Sequence, residues 1–298
     1  MSAPDPRAGK NGSASILRFE GVGVEFYGVK ALENVSFDLR SGETRVLFGA
    51  AGSGKTVLLK VAIGLVKPTT GRVFLFDQDI TNLPEQQLFA IRSKVGILFQ
   101  ESALFDSLTI EENVAYPLLN RAGKPGELTT ESDEVLNRVK EALRFVELEQ
   151  TLTKFPSELS GGMRRRVGIA RAAVSEPPLI LYDSPTAGLD PITANNIIAL
   201  LVKERESRGT TSMIVTHRYQ DGHILANYRY NQKEGKLVPA PLRDGVPDTK
   251  TTFMVFQEGR LAFSGNEREL EQSKDSYVQK FVRHEPPPSE NKPYANGR

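Results

Sequence analysis

Eight consecutive residues, Gly49-Ala50-Ala51-Gly52-Ser53-Gly54-Lys55-Thr56, spell the pattern G-x-x-x-x-G-K-[ST]. The chemistry it serves is the capture of a phosphate chain. Glycines let successive backbone N–H groups turn inward as an anion nest, and a helix start adds partial positive charge. Lys55 would then reach the β- and γ-phosphates, and the Thr56 hydroxyl would ligate Mg²⁺. The pattern requires a strand before it and a helix after it. Residues 44–48 read as a buried strand and 57–62 as a helix, so the setting is met.

Other residues offer complementary chemistry. The apolar run Leu179-Ile180-Leu181-Tyr182 ends in Asp183, the way a nucleotide-binding sheet presents a carboxylate to Mg²⁺ at its carboxyl edge. Pro185 leaves open a plain turn-forming aspartate. A second apolar strand, 212–216, ends in His217, whose imidazole suits a γ-phosphate oxygen or an attacking water, or a purely structural bond. Leu159-Ser160-Gly161-Gly162-Met163 precedes a helix that opens on Arg164-Arg165-Arg166. Ser160, Gly161 and Gly162 can offer a hydroxyl and amides to an anion at that helix start. The arginine triplet reads as a solvated basic turn with no catalytic role.

These groups need a scaffold. The 298 residues are 39% hydrophobic and 25% charged, enough for one large domain or two small ones. A formal net charge of +1 provides no field for nucleic acid. The chain has no cysteine, which excludes disulfides, thiolate metal sites and a cysteine nucleophile. The first residues lack the apolar core of a secretory signal, and no 18-residue apolar run exists, so any transport role needs a membrane partner. Residues 1–15 and 284–298 read as disordered tails around one domain over 16–283. Strands are expected at 16–19, 35–39, 44–48, 72–76, 95–99, 179–182 and 212–216, with a hairpin from 253 to 264. Alternating with helices, they predict an α/β protein with a mostly parallel sheet covered on both faces. Helical periodicity at 131–148 and 163–174, without a buried strand, marks about 102–171 as an inserted helical subdomain. Residues 227–250 are polar, bear Pro and Gly, and read as a surface excursion.

The order P-loop, Gln100, Leu159–Met163, Asp183, His217 resembles the ATP-binding-cassette (ABC) ATPases over nearly the whole chain. That resemblance implies a P-loop NTPase with a RecA-like mixed sheet core, an antiparallel β part and the helical subdomain. It implies ATP and Mg²⁺ as ligands. By the same likeness Tyr27 stacks on adenine, and Gln100 touches Mg²⁺ and water and senses the γ-phosphate. Ser160-Gly161-Gly162 binds the γ-phosphate held by a second ATPase subunit. Ala187-Gly188-Leu189-Asp190 links the two sites, and His217 is the switch histidine. The stretches Gly52-Ser53-Gly54-Lys55-Thr56-Val57-Leu58-Leu59-Lys60, Leu98-Phe99-Gln100-Glu101-Ser102-Ala103-Leu104-Phe105-Asp106 and Glu112-Asn113-Val114-Ala115-Tyr116-Pro117-Leu118 are similar to ATPases of Mla/Mce-type lipid transporters. This implies an integral membrane permease, a periplasmic lipid-binding subunit, and a peripheral place on the cytoplasmic face of the inner membrane. Residues 101–118 are then the surface that grips the permease.

One position departs from the pattern. The family carries glutamate after the strand-end aspartate, to orient the attacking water and accept its proton; this chain has Ser184. A hydroxyl neutral at pH 7 can only hydrogen-bond that water, so slow hydrolysis is expected with nucleotide binding kept. Three explanations stand: Glu101 or His217 substitutes, the chain pairs with a different ATPase and holds ATP as a clamp, or the site has drifted to inactivity. A soluble switch using the same sandwich without a permease is the competing class.

Overall fold

The computed structural model describes residues 14–120, 132–243 and 245–282. The expected tails fall outside these residues except for Ala14 and Ser15, and Ser15 already opens the first strand.

Two long strands, β1 (Ser15–Phe26) and β2 (Val29–Arg40), form a hairpin. Its turn is Tyr27-Gly28, with φ of 50° and 82°, the paired positive values of the turn that matches strand twist. β1 also pairs with β4 (Thr70–Leu75), which pairs with the short β5 (Gln78–Asp79), closing a four-stranded antiparallel sheet. The predicted strand 72–76 corresponds to β4, whereas of β1 and β2 the sequence predicts only 16–19 and 35–39. The outer halves of both strands are half-exposed, so polar residues interrupt their apolar pattern.

The second sheet has six strands in the order β14 (Arg260–Gly265), β13 (Thr251–Gln257), β3 (Thr44–Gly49), β8 (Thr211–Val215), β7 (Leu179–Asp183), β6 (Val95–Leu98). All its pairings are parallel except the edge strand β14. Successive side chains of a strand point to opposite faces, and here each face has its own core. Val46, Phe48, Ile180, Tyr182, Ile214, Phe253 and Val255 enter one; Leu47, Leu179, Leu181, Met213, Val215, Met254 and Phe256 enter the other. A fully buried side chain of this size contributes about 1.5–3 kcal/mol, so a polar residue on either face would be costly. That is why these strands read as unbroken apolar runs.

Helix α1 (Lys55–Ala62) joins the antiparallel sheet on the second core, with α2 (Glu85–Arg92) at its margin. The opposite face is covered by α5 (Gly161–Ala173), α6 (Pro191–Arg208) and α7 (Tyr219–Asn227). The described residues between 102 and 171 hold α3 (Ile110–Leu119), α4 (Asp133–Phe145) and two short 3₁₀ turns before α5. Thr109 and Glu112 form a capping box at the start of α3. Two short helices, α8 (Glu267–Glu271) and α9 (Ser276–Gln279), end the described chain. Among the described residues no helix is long and apolar enough to cross a membrane.

Residues 227–250 are more ordered than their composition predicts. They form two small antiparallel pairs, β9 (Tyr228–Asn231) with β10 (Lys236–Pro239) and β11 (Leu242–Arg243) with β12 (Val246–Pro247). Long-range bonds to polar partners anchor them, which a hydrophobicity pattern does not register. Buried Arg205 of α6 donates to the Leu225 and Tyr228 carbonyls at 2.7 and 2.8 Å, and Thr249 Oγ1 donates to Ala226 O at 2.9 Å.

Candidate active site

The P-loop leaves β3 at its carboxyl end and enters α1. Its glycines answer to specific contacts. Gly49 has φ 153°, and a Cβ there would sit 2.5 Å from Ser53 Oγ and 2.6 Å from Phe256 O. Gly54 has φ 100°, and its Cβ would meet Ala31 O at 2.5 Å. That close approach brings the loop against β2, four residues past Tyr27. Gly54 caps α1 without a side-chain bond, and the first turn holds no acidic residue. The amides at this helix start are therefore left to an anion. Lys55 Nζ folds over the loop, donating to Gly49 O and Ala50 O at 2.7 Å each and to Ser53 Oγ at 3.1 Å. Burial lowers its pKa, and the Asp183 carboxylate opposes that shift. The Ala50 N–H donates to the Tyr277 hydroxyl at 3.2 Å, which itself donates to Phe256 O at 3.0 Å. Nothing in the sequence marks Tyr277, 227 residues from its partner.

Asp183 ends β7 buried. Its Oδ2 accepts from Thr56 Oγ1 at 3.2 Å and its Oδ1 from Ser184 Oγ at 3.1 Å. A hydroxyl and a carboxylate meeting at the head of α1 are the hard oxygen donors that Mg²⁺ takes. The residues present therefore fit that ion. Ser184 holds φ 52°, an uncommon left-handed value for a residue with a Cβ, pinned by its N–H donating to Val215 O at 2.9 Å.

Phe99 joins Thr56, Leu59, Leu181 and Asp183 around one small cleft, and Gln100 follows it, exposed. His217 lies exposed just beyond β8. Its loop is tied down by Asp221, which is fully buried and accepts from Thr216 Oγ1 at 2.7 Å and Thr186 Oγ1 at 2.5 Å. Burial pushes the Asp221 carboxyl above the ordinary carboxylate range, while both hydroxyls and Arg218 pull it down. The spacing of Asp221, four residues past the histidine, is the local sequence signal of this tie.

Other expected site residues lie apart from this cluster. Tyr27 is fully exposed at its hairpin tip. Ser160 caps α5, accepting from Met163 N at 3.3 Å, and Gly162 faces Thr193 of α6. Asp190 caps α6, accepting from Ile192 N and Thr193 N at 3.1 and 3.0 Å. A hydrogen bond from the Thr193 side chain, and then these backbone bonds, lower its pKa. The arginine triplet is not the solvated turn the sequence predicts. Arg165 is 6% exposed and donates to Phe99 O at 3.2 Å; Arg166 reaches Val146 O and Glu147, and Arg164 turns back to Leu159 O. Helical geometry sends consecutive residues in different directions, so one of three had to turn inward.

Comparison with known proteins agrees with this geometry. The sequence profile of the ABC transporter family matches residues 32–187. A methionine import ATP-binding protein of Rhodococcus jostii is 36% identical over 92% of this chain and 74% of its own length. One from Carboxydothermus hydrogenoformans is 41% identical over 63% of this chain and 54% of its own. A probable ribonucleotide transport ATP-binding protein of Mycobacterium leprae is 37% identical over 67% and 56%. The chain thus spans about half the length of the latter two. These names carry methionine and ribonucleotide transport, not the lipid transport expected from the sequence. Among solved structures, a dimeric ATP-binding cassette in a post-hydrolysis state bound to ADP and Pi matches with a TM-score of 0.67 and 29% identity, over 84% of this chain and 98% of that one. A nucleotide-free cassette from an ABC transporter matches with a TM-score of 0.70 and 26% identity, over 91% and 100%. The strand–loop–helix geometry, the Thr56–Asp183 pair and these likenesses agree: the chain belongs to the ATP-binding, ATP-hydrolysing cassettes of the ABC transporter family, whose ligands are ATP and Mg²⁺.

Proposed function

We propose that this chain is the ATP-binding subunit that energises a membrane permease, with its own hydrolysis slowed by Ser184. The observation that carries the reading is the convergence of the uncapped α1 start, Lys55, Thr56 and Asp183 on one point at the sheet's edge. Backbone amides of 52–56 and the Lys55 ammonium hold the β- and γ-phosphates. Thr56 and Asp183, joined by Gln100 in the loop after Phe99, would hold Mg²⁺, which when bound neutralises charge on the phosphate oxygens. Tyr27, at the tip of a hairpin touching Gly54 through Ala31, offers its exposed ring to adenine.

At the turn that opens α5, Ser160 and Gly161 are exposed and Gly162 is half-buried. A head-to-tail pair supplies that turn to the partner's γ-phosphate, and the dimeric state of a related cassette supports this arrangement. With serine at position 184, no carboxylate follows Asp183 to take the water's proton. The Ser184 hydroxyl donates to Asp183 and holds that carboxylate in place. His217 is left to orient the water from the neighbouring strand end.

A cleft of about 530 Å³ lined by Phe89, Arg92, Tyr116, Pro117, Asn120 and Arg171 lies beside residues 101–118 and is the place for a permease's cytoplasmic segment. On this reading the subunit sits peripherally on the cytoplasmic side of the membrane. Cargo is read by the permease and its binding protein rather than by the cassette, and similarity reflects this: methionine and ribonucleotide relatives are alike at 36 to 41% identity. The names favour methionine import, with a substrate-binding protein as the third component; the motif stretches around Gln100 favour a lipid carrier. Co-purification with the adjacent permease, followed by ATP-driven movement of methionine or of lipid in proteoliposomes, separates them. Failure of the purified chain to take up Mg²⁺-ATP in calorimetry, alone or with the permease, refutes the whole reading.

A further inference from the structure

Helix α5 carries two buried arginines that face the same loop. Arg171 Nη1 donates to Ala103 O at 2.8 Å and its Nη2 to Ser102 O at 2.5 Å. Those two residues hold left-handed backbone, with φ of 44° and 64° respectively, and the guanidinium fixes them there. Arg165, nearly two turns earlier, takes the other end of that loop through Phe99 O at 3.2 Å. Its Nη2 reaches Ala187 O at 3.4 Å, on the segment that runs to Asp190. Its Nε is buried with no hydrogen-bond partner. A guanidinium buried on two carbonyls meets a desolvation penalty that an apolar residue would not. What it adds is a rigid planar fork that holds two separate loops at once. Burial lowers the pKa of Arg165, and the Asp183 and Glu101 carboxylates oppose that.

The placement matters because of what each end carries. Phe99 O belongs to the peptide group whose nitrogen is that of Gln100. Ala187 opens the Ala187-Gly188-Leu189-Asp190 segment. Arg165 itself sits one turn from Ser160-Gly161-Gly162. A single buried side chain therefore joins the loop that carries Gln100 to the segment that opens at Ala187, and α5 carries that side chain one turn from Ser160-Gly161-Gly162.

We propose that Arg165 is a positioning residue that couples the two nucleotide sites, passing a change at Gln100 on to the Ser160-Gly161-Gly162 turn through α5. This rests on the reading that the chain binds ATP in a head-to-tail pair. Coupling of this kind needs a rigid element whose state both sites bias; α5, clamped by Arg165 and Arg171 at the two ends of one loop, is that element.

The test is amide hydrogen exchange of the full chain with and without Mg²⁺-ATP, at a concentration where ultracentrifugation shows monomers. Under those conditions no partner phosphate touches the turn. In the wild type, ATP changes exchange across residues 160–165, by about tenfold if a charged hydrogen bond is made or strengthened. Arg165→Lys keeps the charge and loses the fork. It is expected to bind ATP within about twofold of wild type and to lose the change at 160–165. Arg166→Ala, which alters the outward-facing contact with Glu147, retains it. Should Arg165→Lys not fold, as judged by melting, Arg165→Gln carries the same comparison. An ATP response at 160–165 that is absent in the wild type, or undiminished in the folded Arg165 variants, overturns the coupling. Absence of ATP uptake by the wild type would instead remove the nucleotide reading on which it stands, and calorimetry tells the two failures apart.

Discussion

Replacing Ser184 with glutamate is the most informative single change. The backbone does not oppose it: the position already holds φ 52° with a Cβ, so lengthening the side chain adds little backbone strain. Two local effects do. The Ser184 Oγ bond to Asp183 Oδ1 is lost, and a second carboxylate arrives beside the buried first. A hydrogen bond to a charged group is worth about 1.5–3 kcal/mol, and close like charges disfavour joint ionisation. The variant is therefore expected to melt earlier without ligand and to recover part of that loss when Mg²⁺ binds with ATP and its positive charge offsets the pair. Against this stands the gain of a general base, typically about 10²- to 10⁴-fold in rate, or roughly 3–5 kcal/mol of barrier. Phosphate release at saturating ATP, measured on the permease complex, should rise at least tenfold, and single-turnover burial of ATP in the dimer should shorten accordingly. If the folded, ATP-binding variant turned over within about twofold of wild type, a group other than residue 184 would already be acting as the base and the account of Ser184 would fail.

Three further outcomes follow from particular contacts. Lys55→Ala removes an ammonium bonded to Gly49 O, Ala50 O and Ser53 Oγ, so ATP affinity should fall by about 100-fold, from lost charge and a loosened loop; calorimetry showing near-wild-type affinity would contradict the phosphate assignment. Tyr277→Phe deletes the hydroxyl between Ala50 N and Phe256 O, and a neutral bond of this kind contributes about 1 kcal/mol; ATP binding should weaken severalfold with the melting temperature little changed, whereas equal affinity would confine Tyr277 to packing. His223 has its pKa raised, first by its hydrogen bond to Glu267. A raised folded value means the pair's stabilisation is fully present below the ordinary histidine value of 6.5 and is lost as pH rises through the folded value. Melting curves from pH 5 to 9 should show that decline in the wild type and not in His223→Gln, and parallel curves would dismiss the pair as a contributor.

The division between what the sequence revealed and what it concealed follows from the range of the interactions. Strands β3, β7 and β8 were legible because burial on both faces leaves unbroken apolar runs, and the P-loop because its demand on backbone geometry is local and only a few residue types meet it. Asp183 was legible for the same reason, as the polar end of such a run. The half-exposed ends of β1 and β2 were not, since a strand with one wet face mixes its signals. Arg165, Asp221, Tyr277 and the ordered pairs of 227–250 escaped for a different reason: each is satisfied by a partner tens to hundreds of residues away, or by a carbonyl that composition never shows. Arg165 makes the point sharply, because three adjacent arginines look alike until the helix gives each a direction. Arg164 turns to the Leu159 carbonyl, and Arg166 to the Val146 carbonyl and to Glu147 near the surface, where an ion pair contributes about 0–1 kcal/mol; the inward one must find buried acceptors. In this chain those acceptors are the Phe99 and Ala187 carbonyls, so the residue with the least readable role ties together a loop beside the cleft of Thr56 and Asp183 and the segment that follows Asp183.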